Sequence, residues 1–268
     1  MCAINGFNFR DENLILKMNA VTRHRGPDGT DIFLADGISF GHNRLSIIDL
    51  SEAASQPMPS NDGNLVIVFN GEIYNFLELK RELTADYQFK TSSDTEIILA
   101  AYQKWGVRCV EKFNGIFAFA VWNKIKQELF LARDQIGVKP LYYFYDGKKF
   151  IFSSEIKAIL EHNVSRVLNK EAFNHYLRVL YAPEPLTMFE GIKKFSPASY
   201  GILKNNKFSI FNYWDLKTEE KFSGTKKKLA AELRGKVEQA VKRQLISDRP
   251  LGIYLSGGMD SSIVLDCA

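Results

Sequence analysis

No apolar run in this chain is longer than Ile116–Trp122. A helix that crosses a bilayer needs roughly 20 such residues, so no membrane partner is expected, and the apolar residues must be buried as short segments packed on one another. Most of those segments are rich in Ile, Val and Phe and have strand length: Ala3–Phe9, Ile38–Ile48, Leu65–Asn70, Ile116–Trp122, Glu128–Arg133, Leu141–Tyr145 and Lys149–Phe152. Asn123-Lys124 and Asp146-Gly147 stand near turns, and Ser199–Leu203, Asn205-Asn206, Phe208–Tyr213 reads as a closing hairpin. Helices are expected at Glu12–Val21, Leu77–Leu83, Thr95–Lys104, Ile156–Glu161 and Glu171–Leu180. With 46% hydrophobic residues, including 20 Phe, the chain can bury a sizeable core and is not disordered.

The pattern changes near Leu216. Lys217–Thr225 is polar and reads as a linker, and a helix of about six turns follows to Ile246, with Leu229, Leu233, Val237, Val241 and Leu245 spaced i, i+4. Its Lys and Arg residues read as a solvated face. The net charge of +4, from 35 basic and 31 acidic residues, gives no reason to expect a nucleic-acid partner. Pro250–Leu255 reads as a strand, Ser256-Gly257-Gly258 as a turn and Ser261–Ala268 as a helix, the opening of a parallel α/β sheet. Two units are therefore expected, 1–215 and 216–268. Cys2, Cys109 and Cys267 are odd in number and far apart, which excludes a disulfide framework and a CxxC metal site. The N-terminus has no basic segment followed by an apolar one, so no signal peptide is expected and a reducing cytoplasm is the expected location. The four His lack metal-ligand spacing, and the Gly-x-Ser-x-Gly match at Gly37–Gly41 runs into a strand rather than an elbow.

Cys2 follows Met1 directly. Removal of Met1 would give Cys2 a free α-amine, with a reference pKa of about 8, able to act as base for its own thiol. Arg44 ends an apolar strand and suits a bidentate grip on a carboxylate. Asn70 and Gly71 end the next strand, where a side-chain amide beside a backbone N–H can form an oxyanion hole, and Glu72 can hold a cation. Ser93 or Asp94 can cap the following helix. Each has an ordinary alternative: a surface Arg, a turn Asn-Gly, a capping Asp. Farther on, Gly257 and Gly258 let backbone N–H groups converge on an anion at a helix start, and the Lys of a Walker A loop is missing.

Together the stretches MCAINGF, RHRGPDG, RLSIIDLSEAASQPM, NGEIYNFLELK, SSDTEIIL, GIFAFAVW, ARDQIGVKPLYY, SSEIKAI and YLSGGMDSS resemble the glutamine-dependent asparagine synthetases, in family order over essentially the whole chain. Ala3 departs from the Gly that many members carry after the Cys. The resemblance implies an α+β fold: a four-layer α/β/β/α N-terminal nucleophile hydrolase sandwich as glutaminase over 1–215, followed by the truncated start of a parallel α/β ATP-pyrophosphatase domain over 216–268. It implies catalysis by Cys2 with an oxyanion hole of Asn70 and Gly71. Arg44 would hold the glutamine carboxylate, and Glu72 and Asp94 its ammonium. Leu255, Ser256, Gly257, Gly258, Asp260 and Ser261 would form the ATP pyrophosphate loop, with Asp260 toward Mg²⁺. The implied reaction takes glutamine, ATP and aspartate to asparagine, AMP, pyrophosphate and glutamate, and a homodimer is compatible with it. A relative amidating another carboxylate, such as a sugar acid, or a fragment with glutaminase activity alone, would share these residues. A regulatory domain with a dead pocket is disfavoured by the intact set.

Overall fold

The computed structural model describes residues 1–218 and 221–268. The chain opens with β1 (Ala3–Phe7), α1 (Glu12–Thr22), β2 (Gly29–Ala35) and β3 (Ile38–Arg44). It continues through β4 (Met58–Pro59), β5 (Leu65–Ile73), α2 (Phe76–Leu83), α3 (Asp94–Trp105), β6 (Gly115–Asn123) and β7 (Glu128–Arg133). Next come β8 (Tyr142–Tyr145), β9 (Phe150–Ser153), α4 (Ile156–Ile159), α5 (Lys170–Val179), β10 (Ile192–Lys194), β11 (Ser199–Lys204) and β12 (Lys207–Asn212). Two helices close it, α6 (Lys226–Gln244) and α7 (Met259–Cys267).

Among the described residues the strands form two six-stranded antiparallel sheets, ordered β10-β8-β9-β1-β3-β2 and β12-β11-β7-β6-β5-β4. The two-residue alternation of side chains along a strand sorts the apolar residues into layers. Val66 and Val68 of β5 and Ala118 and Ala120 of β6 meet Ile4, Phe40, Phe150 and Phe152 between the sheets. The intervening Ile67, Phe69, Phe117 and Phe119 pack under α2 and α3 on Leu79, Leu83, Ile97 and Ala101. On the far side Phe7 and Ile151 pack on Ile15 and Met18 of α1 and on Ala158 and Ile159 of α4. Both faces of β5 and β6 are thus buried, which is why their sequences are continuous apolar runs. The layering is the expected α/β/β/α sandwich.

Several elements differ from the sequence expectation. β2 is an edge strand with Thr30 and Asp31 exposed near its start, and its apolar pattern is too weak to mark it. β3 stops at Arg44, and Leu45–Ile48 leave the ladder. The expected strand Pro250–Leu255 is not formed: these residues are exposed, with Tyr254 100% accessible. A local apolar pattern cannot make a strand without a neighbour to complete its hydrogen bonds. α7 begins at Met259, ahead of the expected Ser261, and α6 has no buried residue. Among the described residues no helix is long and apolar enough to cross a membrane.

Candidate active site

The strand order puts Cys2 at the start of an inner strand, because β1 lies between β9 and β3 and its first residue, Ala3, pairs with Asn43. The next residues of the β3 segment therefore flank the sulfur. Leu45 N–H donates to Cys2 Sγ at 3.3 Å, and the thiol faces Leu45 O at 3.6 Å. The Arg25 guanidinium donates through Nε to Cys2 O at 3.0 Å and through Nη1 to Glu155 at 3.1 Å. This gives the RHRGPDG segment a role its sequence did not disclose: it holds the main chain of Cys2. Asp28 of the same segment accepts from Ser46 N–H at 2.8 Å, tying down the loop after Arg44.

The outer edge of β5 supplies the facing wall. Phe117 of β6 turns its N–H and C=O toward Asp134, so its partner Gly71 has its own N–H directed away from β6. Alternate residues of β5 share that outward direction, and Ile67, Phe69 and Ile73 each find a partner. Ile67 pairs with Met58 of β4. Phe69 N–H donates to Gln56 Oε1 at 2.6 Å, while His42 Nε2 donates to Phe69 O at 3.1 Å. Ile73 N–H donates to Asp94 Oδ2 at 2.9 Å. No hydrogen bond is found for the Gly71 N–H among the described residues, and Gly71 lines the cleft containing Cys2. Next to it the buried Asn70 amide has neither Oδ1 nor Nδ2 satisfied. Buried polar groups are nearly always paired, so an amide and an N–H left open side by side form a vacant donor pair of the kind that stabilises an oxyanion.

The same cleft is lined by Arg44, Glu72 and Asp94, so all six residues expected in the first site come together. Arg44 donates to Ser51 O at 2.8 Å and to Asp49 O, which fixes its fork. Ser93, not Asp94, caps α3, its hydroxyl accepting from Thr95 N–H, and this leaves the Asp94 carboxylate for the cleft. Burial raises the Asp94 pKa to about 7 despite the Ile73 N–H, and the Glu72 charge adds to the rise. Burial also raises Glu72, opposed by the Lys139 charge. Two neighbouring carboxyls kept reluctant to ionise make a site suited to a cation. Burial likewise pushes the Cys2 thiol up, against the pull of Leu45 N–H, the N-terminal amine and Lys139. The amine at Met1 is lowered by burial. Met1 is 56% exposed yet lines the cleft.

Sequence reasoning missed Lys139, Gln56 and Leu45–Ile48, which also line this cleft. Their place depends on loops folded by distant contacts. A cation next to Pro140, in a stretch otherwise apolar after Gly137, was the one visible hint of Lys139.

The second set stands apart from the first. Ser256, Gly257, Gly258, Asp260 and Ser261 are at the exposed start of α7, with Gly257 at φ +78° and Leu255 exposed beside them. Ser256 and Ser261 hydroxyls bond each other at 2.9 Å, and Gly258 caps α7 without a side chain. The N-terminal N–H groups of α7 are thereby left for an anion. Asp260 offers one carboxylate, and among the described residues no cluster of three metal-ligating side chains occurs. This donor set fits Mg²⁺ only in company with phosphate oxygens, the usual way that ion is held.

Two stacked antiparallel sheets between helices, with a cysteine at the head of an inner strand, form the α/β/β/α sandwich of an amidotransferase domain. The chain belongs to the glutamine amidotransferase domain family, whose model matches residues 1–214, and residues 232–268 match the asparagine synthase family. It is 40% identical to a putative glutamine-hydrolysing asparagine synthetase 2 of Methanocaldococcus jannaschii, over 99% of this chain and 56% of that protein. It is 39% identical to glutamine-hydrolysing asparagine synthetase 1 of Bacillus subtilis, over 96% of this chain and 41% of that one. The chain thus spans about half the length of these relatives. The solved glutamine phosphoribosylpyrophosphate amidotransferase of B. subtilis shares the fold, with a TM-score of 0.58 at 17% identity over 80% of this chain and 49% of that one.

Proposed function

We propose that this chain hydrolyses glutamine at Cys2 and that, in a protein of its relatives' length, the ammonia passes to an ATP-activated aspartate, giving asparagine, AMP and pyrophosphate. The observation that carries the reading is the convergence on one thiol of a vacant Asn70 amide, the Gly71 N–H, an arginine and two buried carboxyls. The Cys2 sulfur attacks the side-chain amide carbon of glutamine. The resulting oxyanion takes hydrogen bonds from Asn70 and Gly71, worth about 10²–10³ in rate per donor in comparable sites. With Met1 removed, the α-amine of Cys2 takes the thiol proton and returns it to the departing nitrogen. Ammonia leaves, and water then opens the thioester to glutamate. Arg44 grips the substrate carboxylate, and Glu72 and Asp94 its ammonium. MgATP enters as a substrate of the second unit, where Ser256, Gly257, Gly258 and Ser261 would grip pyrophosphate oxygens and Asp260 would face the metal. The two units divide near 215, and a reducing cytoplasm suits a working thiol.

The test has two arms. Glutamate release from glutamine is measured for the chain and for Cys2→Ala, with mass spectrometry of the N-terminus. Activity that survives the substitution, or a retained Met1 in an active preparation, overturns the nucleophile. A protein of full relative length is then given ATP, Mg²⁺, glutamine and a panel of carboxylic acids. AMP release with aspartate supports the acceptor, whereas release only with another acid replaces it.

A further inference from the structure

The Arg133–Tyr143 segment is built to hold one side chain. Arg133 donates through Nε to Lys139 O at 2.8 Å and through Nη2 to Gly137 O at 2.7 Å, and it pairs with Glu184 at 3.0 Å. The Asp134 carboxylate accepts from Val138 N–H at 2.9 Å and Lys139 N–H at 3.1 Å, besides Phe117 N–H of β6. Gly137 is at φ +70°, and a Cβ there would sit 2.9 Å from Arg133 Cζ, so the loop wraps closely on the guanidinium. Out of this frame Lys139 lines the Cys2 cleft. It is 8% exposed, and no hydrogen bond or ion pair of its Nζ occurs among the described residues. A largely buried lysine whose ammonium opens into the cleft without an ion-pair partner favours an anion beside it.

We propose that Lys139 is the fixed cation that holds the Cys2 sulfur as a thiolate while glutamine is attacked. The inference rests on the glutaminase reading above. In that reading the substrate carboxylate has Arg44, its ammonium has Glu72 and Asp94, and the oxyanion has Asn70 and Gly71. The thiolate has only the α-ammonium that forms with it, and no permanent cation is assigned to it. Leu45 N–H gives it one hydrogen bond, while burial and the Asp94 charge oppose its formation. The N-terminal amine is neutral until it takes the thiol proton, so it gives no charge to draw that proton off; a lysine ammonium is charged before, during and after the transfer. The charges acting on Lys139 and the thiol are the N-terminal amine at the start of β1, Arg25 after α1, Glu72 of β5, Asp94 of α3 and Asp134 of its own loop. Burial lowers the Lys139 pKa, and Glu72 and the Cys2 sulfur oppose that fall. A nearby lysine is a recognised means of lowering a cysteine pKa.

The experiment reads the thiol and the turnover separately, on the full chain. The alkylation rate of Cys2 by iodoacetamide is followed against pH, with the N-terminal peptide quantified by mass spectrometry, for wild type, Lys139→Met and Lys139→Arg. Removing the charge should move the alkylation midpoint up by about one pH unit, a roughly tenfold slower reaction at neutral pH. It should lower kcat for glutamine hydrolysis by about the same factor and leave KM within about threefold. Lys139→Arg should retain most of the wild-type midpoint, and Lys139→Gln serves if the Met variant does not fold. An unmoved midpoint in the neutral variants overturns the proposal, as does a rise in KM at constant kcat, which would assign Lys139 to the substrate. A wild-type protein without glutaminase activity would defeat the functional reading instead, and the alkylation profiles would still report on the lysine.

Discussion

Asp94 is the residue where stability and binding pull in opposite directions. Its pKa near 7, set first by burial, means the fold favours the protonated acid, whereas a bound ammonium favours the carboxylate. The folded value lies above the ordinary 3.8. The stabilising contribution is therefore complete below the ordinary value and is lost as pH rises through about 7. Glutamine binding should release a proton, and KM should fall several-fold between pH 6 and pH 8. Asp94→Asn should flatten that profile and raise KM about 10- to 100-fold with a smaller change in kcat, because the ammonium keeps its charge through the reaction. The same variant should be more stable than wild type at pH 8, by on the order of 1–2 kcal/mol, since no buried charge has to form. Thermal unfolding at pH 5 and pH 8 with steady-state kinetics checks both halves. A large kcat loss at constant KM would give Asp94 a chemical role.

At the scale of elements, the working edge of β5 is a strand whose outward groups are satisfied one after another by β4, by Gln56 with His42, and by Asp94, with a gap at Gly71. The gap demands glycine for a second reason. A Cβ at 71 would lie 2.2 Å from Ile116 O and 2.7 Å from Phe117 Cα, both main-chain atoms of β6. Gly71→Ala should push β5 from β6, costing about 1–3 kcal/mol in stability and at least about 10²-fold in glutaminase rate as the donor pair is displaced. Denaturant unfolding and kinetics measure the two losses, and an alanine variant at wild-type rate would remove Gly71 from the oxyanion hole. The strands that position Cys2, Asn70 and Gly71 were legible in the sequence because both faces of β1, β5 and β6 are buried and the pattern needs no distant information. β2 was not, because an edge strand with exposed residues carries little pattern. Lys139 was not, because its place depends on Arg133, Asp134 and Glu184, which meet only in the folded chain. Pro250–Leu255 shows the converse: its pattern is strand-like, but pairing is non-local and no partner strand stands beside it among the described residues.

On the scale of the whole molecule, the two sets of site residues have unequal support. The first lines a cleft held by packed strands and α3; the second sits on α7, whose one buried residue is Cys267, after an unpaired segment. At the junction Ile246 packs on the first unit's core, and polar contacts stand beside it. Asp248 accepts from Asp49 N–H at 2.7 Å and donates its own N–H to Ile47 O at 2.9 Å, gripping the loop that lines the first cleft. Asp248→Ala should therefore raise the glutamine KM a few-fold while leaving kcat nearly unchanged, and steady-state kinetics would show it; an unchanged KM would mean the loop is held without this contact. The second set should fare differently. A phosphate nest must be held to within roughly 0.5 Å, on a rigid element with its own supporting shell. Leu251, Tyr254, Leu255 and Met259 are all exposed around this one, and no strand flanks it among the described residues. The 268-residue chain should thus hydrolyse glutamine yet bind ATP with Mg²⁺ only weakly, with proteolysis beginning after about residue 216, where the helix α6 buries no residue. Calorimetry with ATP and Mg²⁺, run beside a glutaminase assay on the same preparation, is the measurement. Micromolar ATP binding would show that the glycine loop is already ordered without flanking strands, and the support for the second site would then have to come from α6 and its Arg234–Asp266 contact to α7.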